Sequence, residues 1–176
     1  MRLIGGVLFL LLAAFFVACY CVGVFDEVAM TAGGRGPFFL VYREHVGPYR
    51  EVKFVKTEVA RYLAGRNETI PARGFARFLD NPQKVRPENL RSIAGYITDS
   101  LLSAVTPPCK TDIFPQTRCV SGVFSIRSRL SQFIGALKFY PRLFRYCRRE
   151  KLEMAGPVLE IYDDAGKRIE YIAPIK

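Results

Sequence analysis

From Leu3 to Phe25 the chain carries no charged residue, and this run of 23 residues differs in kind from everything after it. As one helix it would extend about 34 Å at about 1.5 Å per residue, enough to cross a bilayer, and it predicts an N-terminal transmembrane anchor over residues 1–30. A cleaved signal peptide would also begin with a basic residue such as Arg2, but its apolar region is shorter, about 7 to 15 residues. A lipoprotein site at Cys19, after Ala18, is poorly served by Phe16 and Val17. Residues 31–36, TAGGRG, are small and precede no helical pattern, so they read as a flexible linker.

Beyond the linker the apolar period changes. FFLVYRE (38–44) is aromatic and β-branched and predicts a strand, broken by Gly47-Pro48. Val52, Val55, Val59, Tyr62 and Leu63 recur at three- and four-residue steps and predict a helix over 48–64. RGFARFL (73–79) and RSIAGYIT (91–98) read as strands on either side of the Asp80-Asn81-Pro82 turn. After a Pro- and Thr-rich connection at 106–118 the same order returns: CVSGVFS (119–125), a long helical pattern, VLEIYD (158–163) and RIEYIA (168–173). In that second helix Leu130, Phe133, Ile134, Leu137, Tyr140, Phe144 and Cys147 form the predicted core stripe, and Pro141 is expected to kink or restart it.

The pattern therefore predicts an α+β fold, a transmembrane helix followed by a duplicated β-α-β-β domain over 37–175 with pseudo-twofold symmetry. Repeat one covers 37–98 and repeat two 118–175. Both helices should pack on one face of the paired sheets and leave a concave groove on the other. An offset of 83 residues aligns Val41 with Phe124 and places Arg77 at the position of Glu160. Strand alternation then sends Val158, Glu160 and Tyr162 toward the groove and Leu159 and Ile161 toward the helices. Glu160 is either a ligand group or an internal ion-pair partner of Arg77.

Lys and Arg number 26 against 16 Asp and Glu, a net charge of +10. Between Arg127 and Lys151 eight basic residues stand against Glu150 alone, so the excess is a local patch. Arg142, Arg145, Arg148, Arg149 and Lys151 are candidates for contact with an anionic membrane surface. A merely solvated face is the plain alternative, and nucleic acid is unlikely because no recognisable binding module accompanies the charge. Cysteines at 19, 21, 109, 119 and 147 include no C-x-x-C pair, so neither a zinc site nor another metal site is expected, and no cofactor motif is present. Three cysteines outside the anchor suit a reducing compartment better than a disulfide framework. The single histidine, His45, has no nucleophile motif beside it and is expected to brace the first helix rather than to catalyse. Asn67-Glu68-Thr69 matches a glycosylation acceptor, relevant only if the domain faced a lumen.

His45-Val46-Gly47-Pro48-Tyr49, within VYREHVGPYREV, and Leu159-Glu160-Ile161-Tyr162, opening LEIYDDAGKRIEYIAPI, resemble the two signatures of the GyrI-like small-molecule-binding superfamily. The resemblance covers about residues 37–175. The LIGG-containing anchor, the Asp80-Asn81-Pro82 turn, Phe114-Pro115 and the basic end of the Pro141–Leu152 helix are similar to a membrane-anchored branch that includes an ER-phagy receptor. The resemblance implies a single-pass protein of the endoplasmic reticulum with its domain in the cytosol, and a groove lined by Tyr42, Tyr49, Glu160 and Tyr162. Three functions follow as expectations. The first is a binding module for a small hydrophobic or cationic ligand or a protein partner. The others are a membrane quality-control adaptor and a hydrolase in which Glu160 and a groove tyrosine activate water.

Overall fold

A computed structural model describes residues 2–176, with the side chains of residues 2–4 and 129 outside the description. The elements in chain order are α1 (Arg2–Cys21), β1 (Met30–Arg35), β2 (Phe38–Val46), α2 (Val52–Gly65), β3 (Arg73–Phe78), β4 (Arg91–Thr98), β5 (Lys110–Phe114), β6 (Thr117–Ser125), α3 (Arg129–Arg149), β7 (Leu159–Asp163) and β8 (Arg168–Pro174). The strands form one antiparallel eight-stranded sheet ordered β1-β6-β8-β7-β3-β4-β2-β5. The duplication is visible in that order, because β2-β4-β3 of the first unit mirrors β6-β8-β7 of the second and the halves meet where β3 pairs with β7.

Each repeat lays its helix on the same face of the sheet. Val52, Val55 and Val59 of α2 bury against Val41, Ala76 and Ala94, and Phe139 and Leu143 of α3 against Val120, Phe124, Ile169 and Tyr171. The other face holds Leu40, Phe75, Ile93, Leu159, Ile161 and Ile172, which the curled sheet buries on itself without a helix. Close approach fixes α3 in place: a Cβ at Gly135 would stand 2.6 Å from the Tyr171 hydroxyl and 2.8 Å from Phe124. Its start is capped by Ser131, whose hydroxyl accepts from the backbone N–H of Ser128 at 3.0 Å and donates to the carbonyl of Val22 at 3.1 Å.

Several expectations are corrected. Residues 31–36 are not a free linker, for 31–35 lie in the edge strand β1, where small side chains fit against β6 and Thr31 meets the Ser121 hydroxyl at 3.0 Å. The Pro- and Thr-rich connection contains the opposite edge strand, β5, paired with β2. α3 runs through Pro141 as one helix, since that residue is on its exposed side, where the carbonyl that loses its helical donor can meet water.

The expected core stripe of α3 is also rotated: the buried positions are Ser131, Gly135, Phe139, Leu143 and Cys147, while Leu130, Phe133, Leu137 and Phe144 are exposed. At the N-terminus the uncharged run is not one helix, because α1 ends at Cys21 and residues 22–25 form a turn. Counted over the described residues, no helix is long and apolar enough to cross a membrane.

Candidate functional site

The concave groove expected on the face away from the helices is not what that face holds, since Leu40, Phe75, Leu159 and Ile161 are buried there; the polar group at the central strand pair lies on the helix-covered face. Alternation puts Ala76 of β3 directly opposite Glu160 of β7 on the helix-covered face, and Arg77 opposite Leu159 on the far face. The 83-residue offset is therefore wrong by one at this ladder, and a slip of one residue moves a side chain to the other side of a sheet. Leu159 and Ile161, expected on the helix side, lie on the far face, and Val158, Glu160 and Tyr162 lie under the helices, because the polar centre and the helices share one face of the sheet. Arg77 and Glu160 cannot form an ion pair.

Glu160 is 5% exposed. One carboxylate oxygen accepts from the Tyr140 hydroxyl of α3 and the other from the Tyr162 hydroxyl two residues along β7, each at 2.8 Å. The Lys56 ammonium of α2 stands over the Tyr162 ring, 4.2 Å from its centroid. Behind Tyr140, the buried Tyr171 presents its ring edge at 6.4 Å and stacks on Phe139 at 4.5 Å. Both helices and the strand between them thus contribute polar groups to one carboxylate.

Burial pushes the Glu160 carboxyl above the ordinary range, opposed by the two phenol hydrogen bonds and by Lys56. Burial likewise lowers Lys56, opposed by the charges of Asp164 and Glu160. Burial first and then the neighbouring carboxylate raise Tyr140 and Tyr162, which keeps both as neutral donors. The two phenol hydrogen bonds and the Lys56 ammonium favour the charged form of Glu160 against the burial that disfavours it. Such a seat attracts a cation with aromatic-facing surface.

The other sequence candidates are placed elsewhere. Tyr49 packs on Phe78 with tilted rings 4.6 Å apart, and its hydroxyl donates to the Asp80 carbonyl at 2.7 Å and accepts the Asp80 N–H at 3.0 Å, so it clamps the β3–β4 turn. Tyr42 and Arg77 lie on the far face: Arg77 is 6.0 Å from the Phe114 ring, and burial lowers it against the pull of Asp112 and Tyr42. His45 sits 3.8 Å from Glu51 at the start of the first helical turn, as a bracing residue would. Arg142 is half-buried, Arg149 bonds Glu150 at 2.8 Å, and Lys151 follows the helix in the open. Arg145 and Arg148 line a cavity of about 450 Å³ together with Tyr140, Pro141 and Phe144.

Sequence reasoning missed Lys56 and Tyr140 as site residues. Lys56 does carry a signal, for it falls on the buried side of α2, four residues after Val52 and three before Val59. Among the described residues no cluster of His, Cys, Asp or Glu is arranged to hold a metal ion.

Neither a protein-family model nor a curated protein sequence matches the chain. Solved structures do. The C-terminal domain of EcmrR superposes with a TM-score of 0.63 at 8% identity, covering 85% of this chain and 98% of that one. EcmrR in a complex with DNA gives 0.62 at 9% identity, with 94% of this chain covering 65% of that one. SAV2435 bound to tetraphenylphosphonium gives 0.52 at 8% identity, covering 84% and 94%. A hydrolase from Listeria innocua gives 0.51 at 10% identity, covering 85% and 93%. At such identities the likeness shows that this chain shares the fold of these structures, and no more.

Proposed function

We propose that the chain is a binding module for a small lipophilic cation, attached to a membrane through α1. The observation that carries the ligand reading is Glu160, buried between two helices with both oxygens held by phenols and a lysine amine as its neighbouring cation. Lys56 ends a flexible stem, so an entering cation can displace the amine and take its place against the Tyr162 ring. The carboxylate supplies charge and the rings supply apolar contact, which suits a ligand too greasy to be held in water. SAV2435, of the same fold, binds tetraphenylphosphonium, and that ion is the probe we choose.

Attachment rests on the apolar, solvent-facing side chains of α1, among them Val7, Phe9, Leu11, Phe15 and Val17. In this reading the domain lies on the cytosolic side of the endoplasmic reticulum membrane. The free thiols of Cys109, Cys119 and Cys147 suit that compartment, whereas the choice of organelle and an adaptor role rest on the family resemblance alone. A hydrolase reading would use the same carboxylate as general base, with the Tyr140 and Tyr162 hydroxyls 2.8 Å from its oxygens.

The test is thermal unfolding of the full chain in detergent with increasing tetraphenylphosphonium, because a ligand bound to the folded state raises its stability by about 2.7 kcal/mol at a hundredfold excess over its dissociation constant. We expect a rise in melting temperature that Glu160→Gln abolishes. Equal shifts in both proteins, or none in either, would sink the reading. Turnover of an ester or epoxide panel that Glu160→Gln removes would instead establish the hydrolase.

A further inference from the structure

The outer side of α3 is unlike a solvated helix face. Leu130, Phe133, Leu137 and Phe144 follow one another along it in the open, Phe133 at 64% exposure, while Phe139 and Leu143 face the core. Arg145 and Arg148 flank the same surface and join Phe144, Pro141 and Tyr140 around the 450 Å³ cavity. The helix thus presents apolar rings beside guanidinium groups on long stems, the composition of a helix that lies in a bilayer interface with its arginines among anionic headgroups.

The position of that face relative to the tether is held by hydrogen bonds. Arg127 donates to the Tyr20 carbonyl at 3.1 Å and to Asp26 at 2.7 Å. Lys138 donates to the carbonyls of Gly23, Val24 and Asp26, and Ser131 to that of Val22. The end of α1 is thereby bound to the first half of α3, and exposed Phe25 adds to the apolar surface at the junction. A chain attached through α1 brings the start of α3 to the same membrane.

We infer that the exposed stripe of α3 rests on the surface of an anionic bilayer, with Leu130, Phe133, Leu137 and Phe144 among the acyl chains and Arg145 and Arg148 on the lipid phosphates. This rests on the attachment proposed above.

The chain has no tryptophan, so Phe133→Trp creates a single fluorescent reporter. The full chain carrying it would be mixed with vesicles of phosphatidylcholine and phosphatidylserine that carry brominated acyl chains. We expect blue-shifted emission strongly quenched by the bromines, with the same result for Leu137→Trp. Phe54→Trp, on the exposed side of α2, should emit as in water and escape quenching. Arg145→Glu with Arg148→Glu should lower the quenching severalfold.

Vesicle attachment without quenching of the Phe133→Trp and Leu137→Trp emission would overturn the α3 contact while leaving the tether in place. Failure to float with vesicles at all would overturn both. Quenching unmoved by the double arginine change would overturn the electrostatic part. Stabilisation by tetraphenylphosphonium in detergent is read separately from all of these.

Discussion

α2 and α3 occupy equivalent places on the same sheet, yet only one of them shows its packing in its sequence. In α2 the apolar period and the buried face coincide at Val52, Val55, Val59 and Leu63, and Phe54 is the one large apolar residue turned outward. α3 carries two apolar stripes. The one that buries is interrupted by Ser131 and Gly135, which look like poor core residues, while the one that stays outside is the more continuous. Hydrophobic periodicity reports which faces of a helix are apolar, not which of them meets the core.

The comparison breaks most sharply if the wrong stripe of α3 bears the stability. Phe139→Ala should cost about 3–5 kcal/mol and Leu63→Ala in α2 about 2–5 kcal/mol, whereas Leu137→Ala should cost under about 0.5 kcal/mol, all read by denaturant unfolding. A large loss at Leu137 would place that residue in the core after all.

The glycines give the next effect. Gly135→Ala forces a methyl against Tyr171 and Phe124 and should destabilise by about 1–3 kcal/mol. Gly65→Ala, at the end of α2 with nothing within 4 Å of the added carbon, should be neutral or stabilise by up to about 1 kcal/mol. Equal responses would mean that α3 is not seated so closely.

The smallest effect concerns the carboxylate between the helices. Because burial raises Glu160 in the folded state, its contribution is fully present below the unfolded value and is lost as pH rises through the folded one. Asp80, held low by its Arg91 hydrogen bonds, and Asp163, held low by the Gly166 N–H and Arg168, act in the opposite sense, losing stability as pH falls. The difference between wild type and Glu160→Gln isolates the one group: melting temperature should fall with rising pH in the wild type relative to the variant. A flat difference profile would show that Lys56 fully compensates the charge.

Much of the architecture was legible beforehand. The repeated strand-helix-strand-strand order follows from alternating runs between turn residues, and Glu160 and Tyr162 stood out as polar groups in an apolar strand. The partners of Glu160 were not legible, because Tyr140 reads as one more core aromatic and Lys56 as one more surface lysine until the helices are placed. Arg77 was misjudged for a different reason, since an offset between repeats cannot be read to a single residue when connections differ in length, and one residue decides the face.

The sequence by itself determined the repeated strand-helix-strand-strand order, the duplication, the uncharged apolar N-terminal run and the basic character of α3, all set by local period and composition. Tertiary structure alone decided which stripe of α3 is core, that residues 31–35 form an edge strand, and which side chains meet at Glu160. Those outcomes depend on register between strands and on rotation of a helix about its axis, two quantities set by contacts between residues far apart in the chain.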